Sequence, residues 1–164
     1  MAKKEDLENI EKQLSTEDKY QLAKECIEKE DYENAILYLE QLAKVDYAFA
    51  EFTLANLYLA GLGVAKDEKK AAYYFELAAM LEYVEAQNAI GDCFYFGQGV
   101  PRNYRKAVYW YRQATKQNHP YATESLANCY YRGEGVVQNF ERLILPLNIL
   151  KRLLKWIVYG LYII

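Results

Sequence analysis

Few side chains in this 164-residue sequence have the types and spacing that catalysis needs. A metal site or a histidine-based nucleophilic centre requires several convergent ligands or a base. The sequence has one histidine, His119, beside Pro120 where one helical segment joins the next. We interpret it as a surface or loop residue, and we expect neither a metal nor a cofactor.

The positions of the cysteines indicate a structural role rather than a reactive one. Cys93 and Cys129 lie 36 residues apart, and the equivalent residue one period earlier is Leu57. This pattern indicates small core side chains. With Cys26 the total is odd, and the first residues, MAKKEDLENIEKQLS, contain no apolar run that could act as a signal-peptide core. The sequence therefore predicts reduced thiols and a cytoplasmic location.

A better candidate for function is a polar position that repeats. Asn56, Asp92 and Asn128 follow one another at intervals of 36 residues. Asparagine offers one acceptor and two donors on a short arm, which suits recognition better than bond breaking. The elements that would position these side chains come from the same period.

Glycine-containing loops mark that period. The stretches GLGV at 61–64, GQGV at 97–100 and GEGV at 133–136 are spaced by 36 residues. Small or apolar residues at steps of three and four over 50–58 and 86–94 predict a helix before each loop. The first glycine of a loop would end that helix in the left-handed conformation, and the second would let the chain turn back. The loop glycines are Gly61, Gly63, Gly97, Gly99, Gly133 and Gly135.

Capping residues predict the remaining helix starts. Asp67 and Asn103 are suited to cap a second helix after each loop. Ser15 with Asp18 forms a capping box for a helix through about Glu30, and Asp31 opens another through about Lys44. Residues 1–14 hold apolar side chains at helical spacing, which predicts a first helix that caps the open end of the array.

The stretches AEFTLANLYLAGLGVAKDEKKAAYYFELAA and AQNAIGDCFYFGQGVPRNYRKAVYWYRQAT resemble the Sel-one-like repeat family, and residues 15–47 resemble its relative, the tetratricopeptide repeat. The resemblance implies an all-α fold: a right-handed α/α superhelix (solenoid) of antiparallel helix pairs, whose concave groove holds other proteins. The segments are then a capping helix at 1–14, a tetratricopeptide-like pair at 15–47, repeats at 48–83 and 84–119, a partial repeat at 120–142 and a divergent tail at 143–164.

The same resemblance implies a partner-binding groove. In tetratricopeptide repeats, an asparagine at the matching place faces the groove and hydrogen-bonds the backbone of a bound peptide. By this mapping the groove is lined by Phe52, Asn56, Leu59, Asn88, Asp92, Tyr95, Glu124, Asn128 and Tyr131. The alternative is a solvated helix face without a ligand.

A catalytic alternative comes from cysteine-rich members of the family. Some of those members have been linked to β-lactam binding or hydrolysis, but they place their cysteines at other repeat positions. We therefore expect a non-catalytic scaffold or adaptor that binds a protein or peptide.

Charge is unevenly distributed along the chain. The formal total of −3 divides into −10 over residues 1–100 and +7 over residues 101–164. Such a polarity allows head-to-tail self-association, although solvated faces explain it more simply. The basic residues form no compact cluster, so a nucleic-acid partner is not expected.

The repeat pattern ends after Arg142. Leu143 and Pro146 stand where the pattern has alanine and an aromatic residue, and a proline inside a helix costs about 3 kcal/mol. The nine residues after Lys155 are too few for a transmembrane helix, so a membrane anchor is not expected. An amphipathic helix at a membrane surface or a partner is one interpretation of the tail. A reading-frame change is another, and we favour it over a dedicated membrane tail; the apolar end would then promote association.

Overall fold

The computed structural model describes residues 14–137, and within this range the chain is helical, with no strand. Consecutive helices pack against each other along the chain, and α5 also contacts α7, the first helix of the next pair. The helices are α1 Thr16–Glu28, α2 Tyr32–Ala43, α3 Ala48–Ala60, α4 Glu68–Met80, α5 Val84–Phe96, α6 Tyr104–Lys116 and α7 Pro120–Arg132. The predicted capping helix at 1–14 and the tail at 143–164 lie outside the described residues, apart from Leu14.

The predicted helix starts are confirmed by their caps. Asp67 accepts hydrogen bonds from the backbone N–H groups of Lys69 and Lys70 at 3.0 Å, and Asn103 accepts one from Lys106 at 3.1 Å. Ser15 and Asp31 do the same for α1 and α2. Each cap satisfies a donor that the first helical turn leaves without an intrahelical partner.

Two predicted boundaries differ from the structure. Helix α1 ends at Glu28, before the expected Glu30, because Glu30 has a left-handed backbone with φ of 60° and reverses the chain. Helix α3 begins at Ala48, two residues before the periodic stretch at 50–58, and its N-cap Tyr47 makes no side-chain capping bond. The signal for that start is missing from the sequence because no capping side chain marks it.

Alanines hold the two helices of a pair close together. Ala71 and Ala78 of α4 and Ala107 and Ala114 of α6 are at most 1% exposed. Short side chains at these positions allow the helix backbones to approach, and larger residues such as Phe75 fill the space between.

The first glycine of each loop ends a helix. Gly61, Gly97 and Gly133 are the C-caps of α3, α5 and α7, with φ between 70° and 77°. Backbone hydrogen bonds then close the turn at equivalent places: Asp67 N–H donates to Tyr58 O at 2.9 Å, and Asn103 N–H donates to Phe94 O at 2.7 Å. The loop conformation is thus the same in successive units.

The second glycine of each loop packs on the preceding unit. Gly99 lies against the backbone at Glu68, where α4 begins, and a Cβ there would collide with the Glu68 carbonyl. Gly135 meets the Tyr104 backbone in the same way, and a Cβ at Gly63 would collide with the Tyr32 Cβ. All three contacts are to the first residue of a second helix, so this glycine sets the distance between neighbouring units.

One carboxyl group in the core has no hydrogen-bond partner. Glu51 of α3 is 1% exposed, and neither of its carboxylate oxygens is bonded within the described residues. Burial, together with the nearby Asp46, raises the pKa of Glu51 to about 7. One period later Gln87 is also buried, and it donates to Ala79 O and accepts from Gln117. The position therefore favours a neutral side chain that can donate a hydrogen bond.

We expect Gly99→Ala to destabilise the fold more than Gly97→Ala. Both alanines would adopt a left-handed backbone, at about 1–2 kcal/mol each. At Gly97 the nearest atom to the added Cβ would be the Arg102 Cβ at 3.3 Å, so a shift of a few tenths of an ångström relieves the contact. At Gly99 it would meet backbone, so overpacking adds about 1–3 kcal/mol. Urea unfolding followed by circular dichroism measures both, and equal losses would show that the second glycine does not set the contact.

We expect Glu51→Gln to remove a pH dependence of stability. Because the folded chain holds this proton more tightly than the unfolded chain, wild-type stability should fall as pH rises from about 4.5 to about 7. At pH 8 the glutamine variant should be more stable than wild type by about 1–2 kcal/mol. Thermal melts at pH 5 and pH 8 test this. A wild-type advantage at pH 8 would contradict the account.

Candidate functional site

The repeated polar position lies on the first helix of each of three pairs. Asn56 is on α3, Asp92 on α5 and Asn128 on α7. Asn56 and Asn128 are exposed, whereas Asp92 is half-buried. Asn56 donates from Nδ2 to the carbonyl of Phe52 at 2.9 Å, which leaves its amide oxygen available to a ligand.

Asp92 is held by two donors. The Tyr111 hydroxyl of α6 donates to Oδ1 at 2.7 Å, and Asn88 Nδ2 donates to Oδ2 at 3.3 Å. Burial raises the pKa of Asp92, while the hydrogen bond from Tyr111 and the nearby His119 oppose that rise. Burial and the Asp92 carboxylate together raise the pKa of Tyr111, so its hydroxyl remains a donor.

A cavity of about 250 Å³ opens beside Asp92, between α5, α6 and α7. It brings together three of the sequence-predicted groove residues: Asp92, Tyr95 and Asn128. Its other lining residues, which the sequence analysis did not assign to the groove, are Phe96, Tyr111, Ser125 and Arg132. The cavity thus combines aromatic rings with a few polar groups, as binding sites generally do.

The sequence contains an indication of the hydrogen bond between Tyr111 and Asp92, because both residues differ from their equivalents one period earlier. One period earlier the equivalent residue is Phe75, which has no hydroxyl, and the equivalent of Asp92 is Asn56. Gly91 makes room for the tyrosine, because a Cβ at Gly91 would lie 2.6 Å from the Tyr111 ring. Gly91 is the one glycine of residues 14–137 that lies outside the loops.

The remaining predicted groove residues divide into packed and exposed ones. Phe52 packs against Phe75 and Tyr83, with ring centroids 5.5 and 5.1 Å apart. Tyr95 donates its hydroxyl to Glu134 at 2.6 Å, and Leu59 is half-buried. Glu124 and Tyr131 are exposed on α7. The structure therefore gathers Asp92, Tyr95 and Asn128 at one cavity but does not join Phe52, Asn56 or Leu59 to it.

The candidate catalytic side chains have structural environments. Cys93 and Cys129 are buried, which confirms the core interpretation, and burial raises the pKa of each thiol to about 11. A thiol of this kind is not a nucleophile near neutral pH. His119 is the N-cap of α7, and its Nδ1 accepts from the Ala122 N–H at 3.1 Å, a role that the sequence analysis did not anticipate.

Between residues 14 and 137, no three His, Cys, Asp or Glu side chains come together in a way that could hold a metal ion. None of the helices in that range is both long and apolar enough to cross a membrane.

Solved structures are similar to this chain. A protective antigen of uropathogenic Escherichia coli that displays an SLR fold is 30% identical with a TM-score of 0.72, over 76% of this chain and 27% of that one. A Sel1 repeat protein from Oxalobacter formigenes is 27% identical with a TM-score of 0.68, over 76% of this chain and 54% of that one. Helicobacter pylori cysteine-rich protein B is 27% identical with a TM-score of 0.54, over 56% of this chain and 69% of that one.

These similarities confirm the right-handed α/α solenoid. The chain spans about a quarter of the length of the first of these proteins and about half of the second. No curated protein gives a significant match. The model of the Sel1 repeat matches residues 20–47, 48–83, 84–119 and 120–142. The chain therefore belongs to the Sel1 repeat family.

Proposed function

We propose that this chain is a non-catalytic scaffold or adaptor that holds a partner peptide or protein against the first helices of its repeats. Sel1 repeat proteins are generally protein-interaction modules, and the proposal narrows this to one face of the solenoid. The observation that carries it is the cavity between α5, α6 and α7, which combines Asp92, Tyr95 and Asn128.

The chemistry of this face suits an extended peptide. Asn56 retains its amide oxygen, and Asn128 is exposed at the edge of the cavity, so both can hydrogen-bond peptide backbone groups. Aromatic rings beside them provide area for side-chain contacts without much loss of conformational entropy. Polar groups that fix the register and rings that add contact area are what a peptide-binding surface requires.

Within residues 14–137, the side chains that the catalytic alternative would use are in environments that do not favour hydrolysis. The two cysteines that stand at equivalent repeat positions are buried, and the high pKa of each thiol keeps it protonated. The tail, on which a membrane role would depend, lies outside the described residues.

The test is a peptide selection followed by a titration. Random twelve-residue peptides displayed on phage are selected on the wild-type chain, and the enriched sequences are synthesised. We expect the double variant Asn56→Ala with Asn128→Ala to bind them at least fivefold more weakly, because each lost hydrogen bond contributes about 0.5–1.5 kcal/mol. Calorimetric titration gives the affinities.

Gln41→Ala is the matched control, since Gln41 is an exposed amide on the second helix α2. This variant should bind like wild type, and all three proteins should melt at the same temperature. Equal binding by the double variant would remove this face from consideration. A lower melting temperature in that variant alone would mean that the asparagines stabilise the fold instead.

A further inference from the structure

The Asp92 position differs chemically from its equivalents. Asn56 and Asn128 can donate and accept, whereas an ionised aspartate only accepts. Asp92 is also the one of the three that is half-buried, and its carboxylate already receives two hydrogen bonds from neutral donors, Tyr111 and Asn88. A carboxylate placed in such surroundings has lost part of its hydration and gains from a cation.

The described residues provide no ion pair for this carboxylate. Within residues 14–137 the ion pairs are Lys29 with Glu25 and Lys66 with Glu68, and neither involves Asp92. A second acceptor next to it is also unsatisfied, because Asn88 Oδ1 is buried without a hydrogen-bond partner there. Two acceptors, the Asp92 carboxylate and Asn88 Oδ1, therefore lie side by side and can both accept from a cationic donor.

The walls of the cavity are suited to contact the methylene groups of a long side chain. Tyr95, Phe96 and Tyr111 supply three aromatic rings, and the volume of about 250 Å³ corresponds to one long side chain rather than to a larger ligand. The Tyr95 ring is held by its hydroxyl bond to Glu134. A lysine or arginine packs its methylene groups on apolar surface while its charged head reaches a polar partner, and aromatic faces attract the cation.

The cavity is also lined by a positively charged side chain, Arg132. This residue is exposed at the end of α7, and the opposite charge of Glu134 acts on the same Tyr95 hydroxyl. Arg132 and Glu134 therefore carry opposite charges near the Tyr95 hydroxyl, whereas the Asp92 carboxylate is the charged group that is hydrogen-bonded to Tyr111. A bare metal ion is not favoured, because no cluster of three ligating side chains exists among the described residues.

We infer that this cavity, here called the Asp92 pocket, receives a lysine or arginine side chain of the bound peptide, with its cationic group on the Asp92 carboxylate. The inference rests on the proposed function, since the peptide backbone would lie along the first helices. It adds the requirement that the peptide carry a positively charged side chain at one position.

The test is a second selection combined with a double-variant titration. Random phage-displayed peptides are selected in parallel on wild type, Asp92→Asn and the control Glu33→Gln, whose glutamate is exposed on α2. Asparagine at 92 can still accept from the Tyr111 hydroxyl, so the variant should fold, and its melting temperature verifies this. We expect wild type and the control to select a basic residue at one fixed position, and Asp92→Asn to lose that preference.

One selected peptide is then compared with its analogue in which norleucine replaces the basic residue. Wild type should bind the analogue at least tenfold more weakly, whereas Asp92→Asn should bind the two peptides within about twofold of each other. The same affinity ratio in both proteins, or selected peptides without a basic residue, would overturn the inference and leave the proposed function intact. Failure of wild type to enrich any peptide would overturn both.

Discussion

The close approach of each second loop glycine to the preceding unit is the contact on which the whole array depends. Gly63, Gly99 and Gly135 lie against the first residues of α2, α4 and α6, where no Cβ fits. At Gly99 and Gly135 the obstructing atoms belong to the backbone, and at Gly63 the nearest one is the Tyr32 Cβ, so the distance between units depends little on adaptable side-chain ends. Successive units therefore stack in the same way, and equivalent residues recur in equivalent environments.

The array and its caps could be predicted because their signals are local. Asp67 and Asn103 act within three residues of their own position, and the loop glycines act on their own backbone conformation. The starts of α3 and α5 were less evident, because Tyr47 and Tyr83 precede them without making a side-chain cap. Where a helix begins only because tertiary packing favours it, the sequence has no local mark.

The candidate site could be predicted only in part. The 36-residue period identified Asp92 and Asn128, which share a cavity, but it gave no reason to treat Asp92 differently from Asn56. That difference comes from the Tyr111 hydroxyl, which is 19 residues away and reaches the carboxylate across two packed helices. The burial of Glu51 could not be predicted for the same reason, since neighbouring helices form its environment. A repeat therefore predicts positions well and their chemistry poorly.

On the proposed function, a partner lies on the first helices rather than on the second. The second helices offer an alternative surface, because Leu37, Tyr73 and Tyr109 occupy equivalent positions there and are 58%, 57% and 54% exposed. Amide chemical-shift mapping with a selected peptide distinguishes the two faces directly. We predict saturable shifts at Asp92, Tyr95 and Asn128, with the second-helix positions unaffected. Shifts confined to Leu37, Tyr73 and Tyr109 would contradict the account.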